Sequence, residues 1–174
     1  MAKTNAKHNK TLEFVVKMLN NSGVNDWCIM YGTLLGIIRD GGCIEHDDDV
    51  DIVIRYNYDS FRSLLESNGF VMNDQLINGI IGRDSRTILK TIETEEYSSV
   101  DFYLLDNYKE WQYVPWHNTH IKELYLDAEN RSYEEMKWAS VTLQVPADPR
   151  RKLYHMYGDW HKPSGKHCPA DLYI

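Results

Sequence analysis

The sequence predicts a mixed α/β or α+β fold built on a central sheet. Three observations predict it: an amphipathic helical pattern near the N-terminus, an alternating apolar strand in the first third of the chain, and a late helix with clear start and stop residues. Segments of both kinds interleave along one chain, which is typical of helices packed on a sheet. The length of 174 residues and the apolar fraction of 43% suit one domain with its own core.

The predicted domain begins after a polar tail. Residues 1–10 are predicted to be flexible, and residues 11–174 to form a single domain. Apolar side chains at helical spacing predict the first helix over 11–22. Thr11 can cap its start, and Gly23 can end it in the left-handed conformation.

Short apolar runs predict the strands, and further periodic segments predict the other helices. The clearest strand is 50–54, because its side chains alternate between two faces. The other predicted strands are 27–31, 70–72, 87–92, 100–105 and 140–145. The other predicted helices are 33–39, 58–67 with Gly69 as its stop, and one that Asp148 and Pro149 open and Gly158 ends.

The overall composition argues against nonspecific nucleic-acid binding. The net charge is −7 and the isoelectric point about 5.4, so the surface as a whole repels a phosphate backbone. Three cysteines cannot all pair within the chain, which favours a reducing compartment. The sequence shows no apolar signal segment and no transmembrane run, so we expect a cytoplasmic protein.

The most informative segment is the acidic run Asp47-Asp48-Asp49-Val50-Asp51. Its carboxylates repel one another unless a cation lies among them. Side chains two apart on a strand share a face, so Asp49 and Asp51 are predicted to project together as oxygen ligands. Hard oxygen ligands favour Mg²⁺ or Mn²⁺. The alternative is a solvated acidic turn, but Asp51 opens an apolar strand, where an unpaired carboxylate is costly.

Other polar residues near this run are candidates for the same site. Gly32-Thr33 follows a predicted strand and opens a helix, where backbone N–H groups and the hydroxyl can hold a phosphate; a simple turn is the alternative. Asp101 is a lone acid in an apolar strand, and it is either a third ligand or general base, or an edge acid facing water. Arg86 and Lys90 share a strand face, either meeting donor phosphates or lying on the surface.

These motifs resemble the LicD family, which includes bacterial phosphorylcholine transferases and fukutin-like glycan-modifying proteins. The resemblance is carried by Gly32-Thr33-Leu34-Leu35-Gly36-x-x-Arg39, by Asp47-Asp48-Asp49-Val50-Asp51-Ile52, and by a closing run of Val145-Pro146, Leu153, Tyr157-Gly158-Asp159-Trp160 and Pro163. It implies the nucleotidyltransferase fold, an α+β domain with a mixed central sheet flanked by helices.

The resemblance also implies a reaction. A substituted phosphate, such as phosphocholine or a polyol phosphate, passes from a CDP-linked donor to a sugar hydroxyl of a glycan acceptor, with Mg²⁺ or Mn²⁺ as cofactor. The roles carried over are metal binding by Asp49 and Asp51 with help from Asp47, a third acid at Asp101, donor phosphate contacts at Gly32 and Thr33, and a phosphate-holding or loop-bracing role for Arg39.

The chain departs from the family pattern at two places. Many members have Pro-Trp where this chain has Glu45-His46, and a histidine often stands where this chain has Asp40. Two other functions remain open: a nucleotidyltransferase that moves a nucleoside monophosphate to a small hydroxylated acceptor, and a non-catalytic nucleotide-binding module. Four residues would also form a zinc site if the C-terminal tail folded back, namely Cys43, His46, His167 and Cys168.

Overall fold

A computed structural model describes residues 3–73, 88–104, 106–108, 111–114, 119–121 and 133–162. The helices in this part of the chain are α1 (Ala6–Asn21), α2 (Tyr31–Asp40), α3 (Tyr58–Ser67) and α4 (Pro149–Tyr157). The strands are β1 (Trp27–Ile29), β2 (Val50–Ile54), β3 (Ile88–Lys90), β4 (Val100–Leu104), β5 (Asp106–Tyr108), β6 (Trp111–Val114), β7 (Thr119–Ile121), β8 (Tyr133–Trp138) and β9 (Val141–Pro146).

The central sheet is mixed, as the sequence predicts. Its strand order is β1-β2-β4-β3. The two inner strands, β2 and β4, run parallel, whereas β1 and β3 pair antiparallel at the outside. The described residues also form two antiparallel units, the three-stranded β5-β6-β7 and the hairpin β8-β9. All five residues of β2 are buried, which is typical of a central strand covered on both faces.

The N-terminal segment corrects one prediction. The first helix begins at Ala6 rather than at residue 11, so the described part of the predicted tail, residues 3–10, is mostly helical. Asn5 is its cap, because its side chain accepts a hydrogen bond from the backbone N–H of His8 at 3.1 Å. The backbone N–H of Asn5 donates to the carbonyl of Cys43 at 2.9 Å. The polar residues that suggest a tail therefore include the cap of α1 and a backbone hydrogen bond to Cys43.

The predicted cap Thr11 lies inside this helix. Its hydroxyl donates to the carbonyl of Lys7 at 2.9 Å and accepts from the backbone N–H of Ser98 at 2.9 Å. Gly23 adopts a φ of 69° just after the helix, so the predicted stop is confirmed.

Most other predicted elements are confirmed within a few residues. The bounds of β2 and α3 match the predictions, and Asp148 caps α4 by accepting from the N–H of Arg151 at 3.2 Å. The predicted strand 70–72 is reduced to an isolated bridge between Met72 and Thr91. Strand β8 was not predicted, because its side chains are exposed or half-buried and show no apolar alternation.

The core lies between the central sheet and the helices packed on it. Its largest fully buried side chains are Trp27, Phe61 and Phe102, which lie on β1, α3 and β4. Strand β9 packs beside β1, so the hairpin extends the core past the sheet edge. Among the described residues no helix combines the length and apolar character needed to cross a bilayer.

Candidate active site

The strand register brings the predicted acids together where the two inner strands of the central sheet begin. Asp51 on β2 lies directly opposite Asp101 on the parallel neighbour β4, and Lys90 on β3 lies opposite Asp101 from the other side. The Lys90 ammonium donates to Asp101 Oδ2 at 2.9 Å and to Asp49 Oδ2 at 3.2 Å. One lysine therefore joins an acid of the loop to an acid of the neighbouring strand.

Asp51 is the most firmly held of these acids. The backbone N–H of Gly32 donates to its Oδ2 at 3.1 Å, and the hydroxyl of Tyr103 donates to its Oδ1 at 3.2 Å. Its own backbone N–H donates to Thr33 Oγ1 at 2.8 Å. The start of α2 is thereby tied to the start of β2, and both Asp51 oxygens have partners.

Gly32 and Thr33 thus have a role that the sequence did not reveal, because both residues form hydrogen bonds with Asp51. The Thr33 side chain is fully buried and its hydroxyl is engaged. That hydroxyl accepts the bond from Asp51, and its own hydrogen is still available to donate. Phosphate contact at Gly32 and Thr33 stays a prediction.

Within the part of the chain that the structure describes, Asp47, Asp48 and Asp49 form a group of carboxylates that could share one ion, because their ligand atoms lie within 4.8 Å of one another. Asp48 is exposed, whereas the other two are half-buried. Asp49 belongs to this loop group, whereas Asp51 lies on β2 and is not a member of it. Asp48 was not singled out from the sequence, although it lies within the run.

Gly32 also makes room for the loop. A Cβ at this position would lie 2.5 Å from Asp47 Oδ2, which is closer than real side chains allow. The Asp47 carboxylate thus packs against the backbone of α2, and only glycine permits this approach.

Burial and mutual repulsion raise the pKa values of these acids. Burial first, and then the charges of Asp49 and Asp48, raise the pKa of Asp47 to about 6. Burial and Asp49 raise the pKa of Asp101 to about 7, against the opposing effect of Lys90. Burial raises the pKa of Asp51 well above its ordinary value. Burial would lower the pKa of Lys90, but Asp101 and Asp49 outweigh it and the pKa rises.

Two carboxylate oxygens of the site lack hydrogen-bond partners among the described residues. They are Asp101 Oδ1 and Asp47 Oδ2, and both are buried. A buried oxygen without a partner is costly unless a cation or water satisfies it. The donors here are hard oxygens with surplus negative charge, which match Mg²⁺ or Mn²⁺. The residues present therefore fit the predicted cofactor.

Residues distant in sequence brace the acidic loop. Ser99 Oγ donates to the carbonyl of Asp48 at 3.0 Å, and Asn9 Oδ1 accepts from the N–H of Cys43 at 2.8 Å. Together with Tyr103, these residues were missed from the sequence. Tyr103 alone carried a signal, since it lies two positions after Asp101 on the same strand face.

The remaining predicted site residues lie apart from the acids or outside the described residues. Arg39 pairs through Nε and Nη2 with Asp40, at 2.9 and 2.7 Å, so its recorded partner is its neighbour rather than the acidic loop. Arg86 lies outside the described residues. For the zinc site, the Cys43 side chain is buried and His46 is exposed, while His167 and Cys168 lie outside the described residues.

A mixed sheet with acids facing each other on its parallel inner strands, next to a glycine–threonine helix start, defines a nucleotidyltransferase-type domain. The solved structure of the lincosamide antibiotic adenylyltransferase LnuA, with lincomycin bound, is similar in fold, with a TM-score of 0.58 and 90% of each chain covered. The identity is 13%, so this likeness concerns the fold alone.

The chain belongs to the LicD/FKTN/FKRP nucleotidyltransferase-domain family, whose sequence pattern matches residues 25–148. The predicted family and fold class are thereby confirmed. An uncharacterized protein of Rickettsia prowazekii (strain Madrid E) is 25% identical over 163 residues, which cover 91% of this chain. The match spans 56% of that relative, so this chain corresponds to about half of its length. Family and fold together support a transferase.

Proposed function

We propose that the chain is a metal-dependent transferase that moves a substituted phosphate, such as phosphocholine or a polyol phosphate, from a CDP-linked donor to a sugar hydroxyl of a glycan. The observation that carries the proposal is the meeting of Asp49 and Asp101 around one cation, the Lys90 ammonium, beside carboxylate oxygens that lack hydrogen-bond partners among the described residues. Membership of the LicD/FKTN/FKRP family supports the reaction class, and the donor and acceptor rest on the family resemblance alone.

The acids divide the work according to their surroundings. Asp47 and Asp49 of the acidic loop and Asp101 of β4 would hold Mg²⁺ or Mn²⁺, since Asp47 Oδ2 and Asp101 Oδ1 lack hydrogen-bond partners among the described residues. Asp51 adds negative charge from β2. When bound by these residues, the metal would supply positive charge to offset the negative charge of the donor diphosphate and of the departing nucleotide. The hydrogen bonds of Asp51 to Gly32 and Tyr103 keep the strand start and the helix start in one arrangement.

Asp101 is the best placed proton acceptor. Its Oδ1 has no hydrogen-bond partner among the described residues, and burial makes this carboxyl more basic than an ordinary aspartate in the metal-free protein, raising its pKa to about 7. The acceptor hydroxyl would lose its proton to this oxygen as the phosphate is transferred.

A donor screen tests the proposal. The purified chain is incubated with Mg²⁺, a sugar acceptor and either CDP-choline or a CDP-linked polyol, and the product is identified by mass spectrometry. We expect the acceptor to gain the head-group phosphate. D49N and D101N should lose roughly three powers of ten or more in rate, while D159N, at an exposed acid whose recorded partner is His161, should remain active.

The same screen separates the alternatives. Near-normal turnover in D49N or D101N would contradict the proposed roles of these acids. A metal-dependent thermal shift with no product from any donor would identify a binding module instead of an enzyme.

The second candidate is transfer of a nucleoside monophosphate to a small hydroxylated acceptor. The fold likeness to an adenylyltransferase over 90% of both chains favours it. The two reactions use the same acids but leave different products. With a nucleoside triphosphate as donor, an acceptor that gains the mass of a nucleotide would replace the first proposal with the second.

A further inference from the structure

Lys90 occupies the place among the acids where a cation is expected. Its ammonium lies 2.9 Å from Asp101 Oδ2 and 3.2 Å from Asp49 Oδ2, and its side chain is 26% exposed. Strand β3 delivers it there through the pairing of Lys90 with Asp101. Among the described residues, the other basic side chains with recorded ion pairs contact acids outside this cluster.

We propose that Lys90 is an internal counterion that holds Asp49 and Asp101 together in the metal-free protein and gives up its place when a divalent metal binds. This inference rests on the proposed function, since it concerns the same metal. It assigns Lys90 a positioning role distinct from a fixed contact with donor phosphate.

Electrostatics require the exchange. An ammonium and a divalent ion a few ångströms apart repel strongly in a partly buried site. The ammonium bonds to Asp49 Oδ2 and Asp101 Oδ2, which are two of the oxygens that a metal would take. A lysine is suited to withdraw, because its charge ends a flexible four-carbon stem and the Lys90 side chain is in part exposed to water.

In the metal-free protein, the positive charge of Lys90 offsets the repulsion among the carboxylates. Asp49, Asp51 and Asp101 repel one another, and Asp51 and Asp101 are buried. Without a counterion this repulsion would be relieved by protonation of an acid or by displacement of the acidic loop, since β2 and β4 are held together by their pairing. Lys90 thus keeps the ligands near their working positions until the metal replaces it.

Metal titration of K90M tests the exchange, with K90R keeping the charge and K10M as a matched control. Lys10 is exposed and pairs with Glu96 away from the site. Calorimetry with Mn²⁺ and thermal unfolding with and without metal are measured at about pH 8.5, above the pKa values of Asp47 and Asp101. We expect K90M to bind Mn²⁺ about tenfold more tightly than wild type. Its metal-free Tm should fall and its metal-induced rise in Tm should exceed that of wild type.

The outcomes separate this inference from the proposed function. K90R and K10M should match wild type in Mn²⁺ affinity. Unchanged or weaker Mn²⁺ binding in a folded K90M, when wild type binds Mn²⁺, overturns the counterion role and leaves the proposed function standing. If wild type binds neither Mn²⁺ nor Mg²⁺, the proposed function fails and the inference fails with it.

Discussion

Replacement of Gly32 by alanine should damage the metal site without damaging the fold. The added Cβ would lie 2.5 Å from Asp47 Oδ2, whereas ordinary contacts begin at 3.4 Å. The carboxylate must therefore retreat by about 1 Å, the difference between these distances. Metal–ligand distances tolerate only about 0.2 Å, so Asp47 would leave its position as a ligand.

The magnitude of each effect follows from the same contacts. Asp47 Oδ2 has no hydrogen-bond partner among the described residues, so its displacement breaks no recorded bond. Alanine favours a helix over glycine by about 1 kcal/mol, which offsets the local crowding at the start of α2. We expect a Tm close to that of wild type and a loss of about ten- to a hundredfold in Mg²⁺ or Mn²⁺ affinity.

Calorimetric metal titration and thermal unfolding of G32A, D47A and the double variant form the assay. If the alanine acts through Asp47, G32A should have no further effect on metal affinity in the D47A background. The reasoning is refuted if G32A binds metal as wild type does, or if its effect is equally large without the Asp47 carboxylate. G36A is the contrasting variant: its Cβ would meet the carbonyl of Gly42 at 2.6 Å, and backbone cannot move aside cheaply, so it should lower the Tm.

Three further predictions concern stability. Y103F removes the bond to Asp51 Oδ1 and should lower the free energy of unfolding by about 1–2 kcal/mol in urea titrations; an unchanged value would mean that water replaces the hydroxyl. Because the fold raises the pKa of Asp47 to about 6 from 3.8, the folded protein binds this proton more tightly than the unfolded chain. Lowering the pH from about 7.5 to about 5 should therefore raise the free energy of unfolding of metal-free wild type relative to D47N by about 1 kcal/mol, allowing for partial exposure. If the stability of the two proteins has the same pH dependence, the raised pKa of Asp47 is contradicted. N9A removes the acceptor for the Cys43 N–H and should cost about 1–2 kcal/mol and weaken metal binding; unaltered metal affinity would show that this brace does not position the loop.

Local patterns were sufficient where an element depends on its own residues. The strand 50–54 and the helix 58–67 were predicted with correct bounds, and Asp148 and Pro149 marked the start of α4. Each of these signals acts over a few positions, through side-chain alternation, helical spacing or a capping bond. Local patterns failed at β8, whose pairing with β9 does not depend on an apolar face.

By itself the sequence determined the family and the fold class. It also indicated the acids to consider, because a run of carboxylates at the start of an apolar strand costs free energy unless a partner or cation compensates their charge. Only the tertiary structure decided how they are arranged. Sheet register placed Lys90 between Asp49 and Asp101, and the packing of α2 on β2 turned Gly32 towards Asp51. These contacts join residues 11 to 41 positions apart, and their geometry depends on strand pairing and burial, which no local spacing encodes.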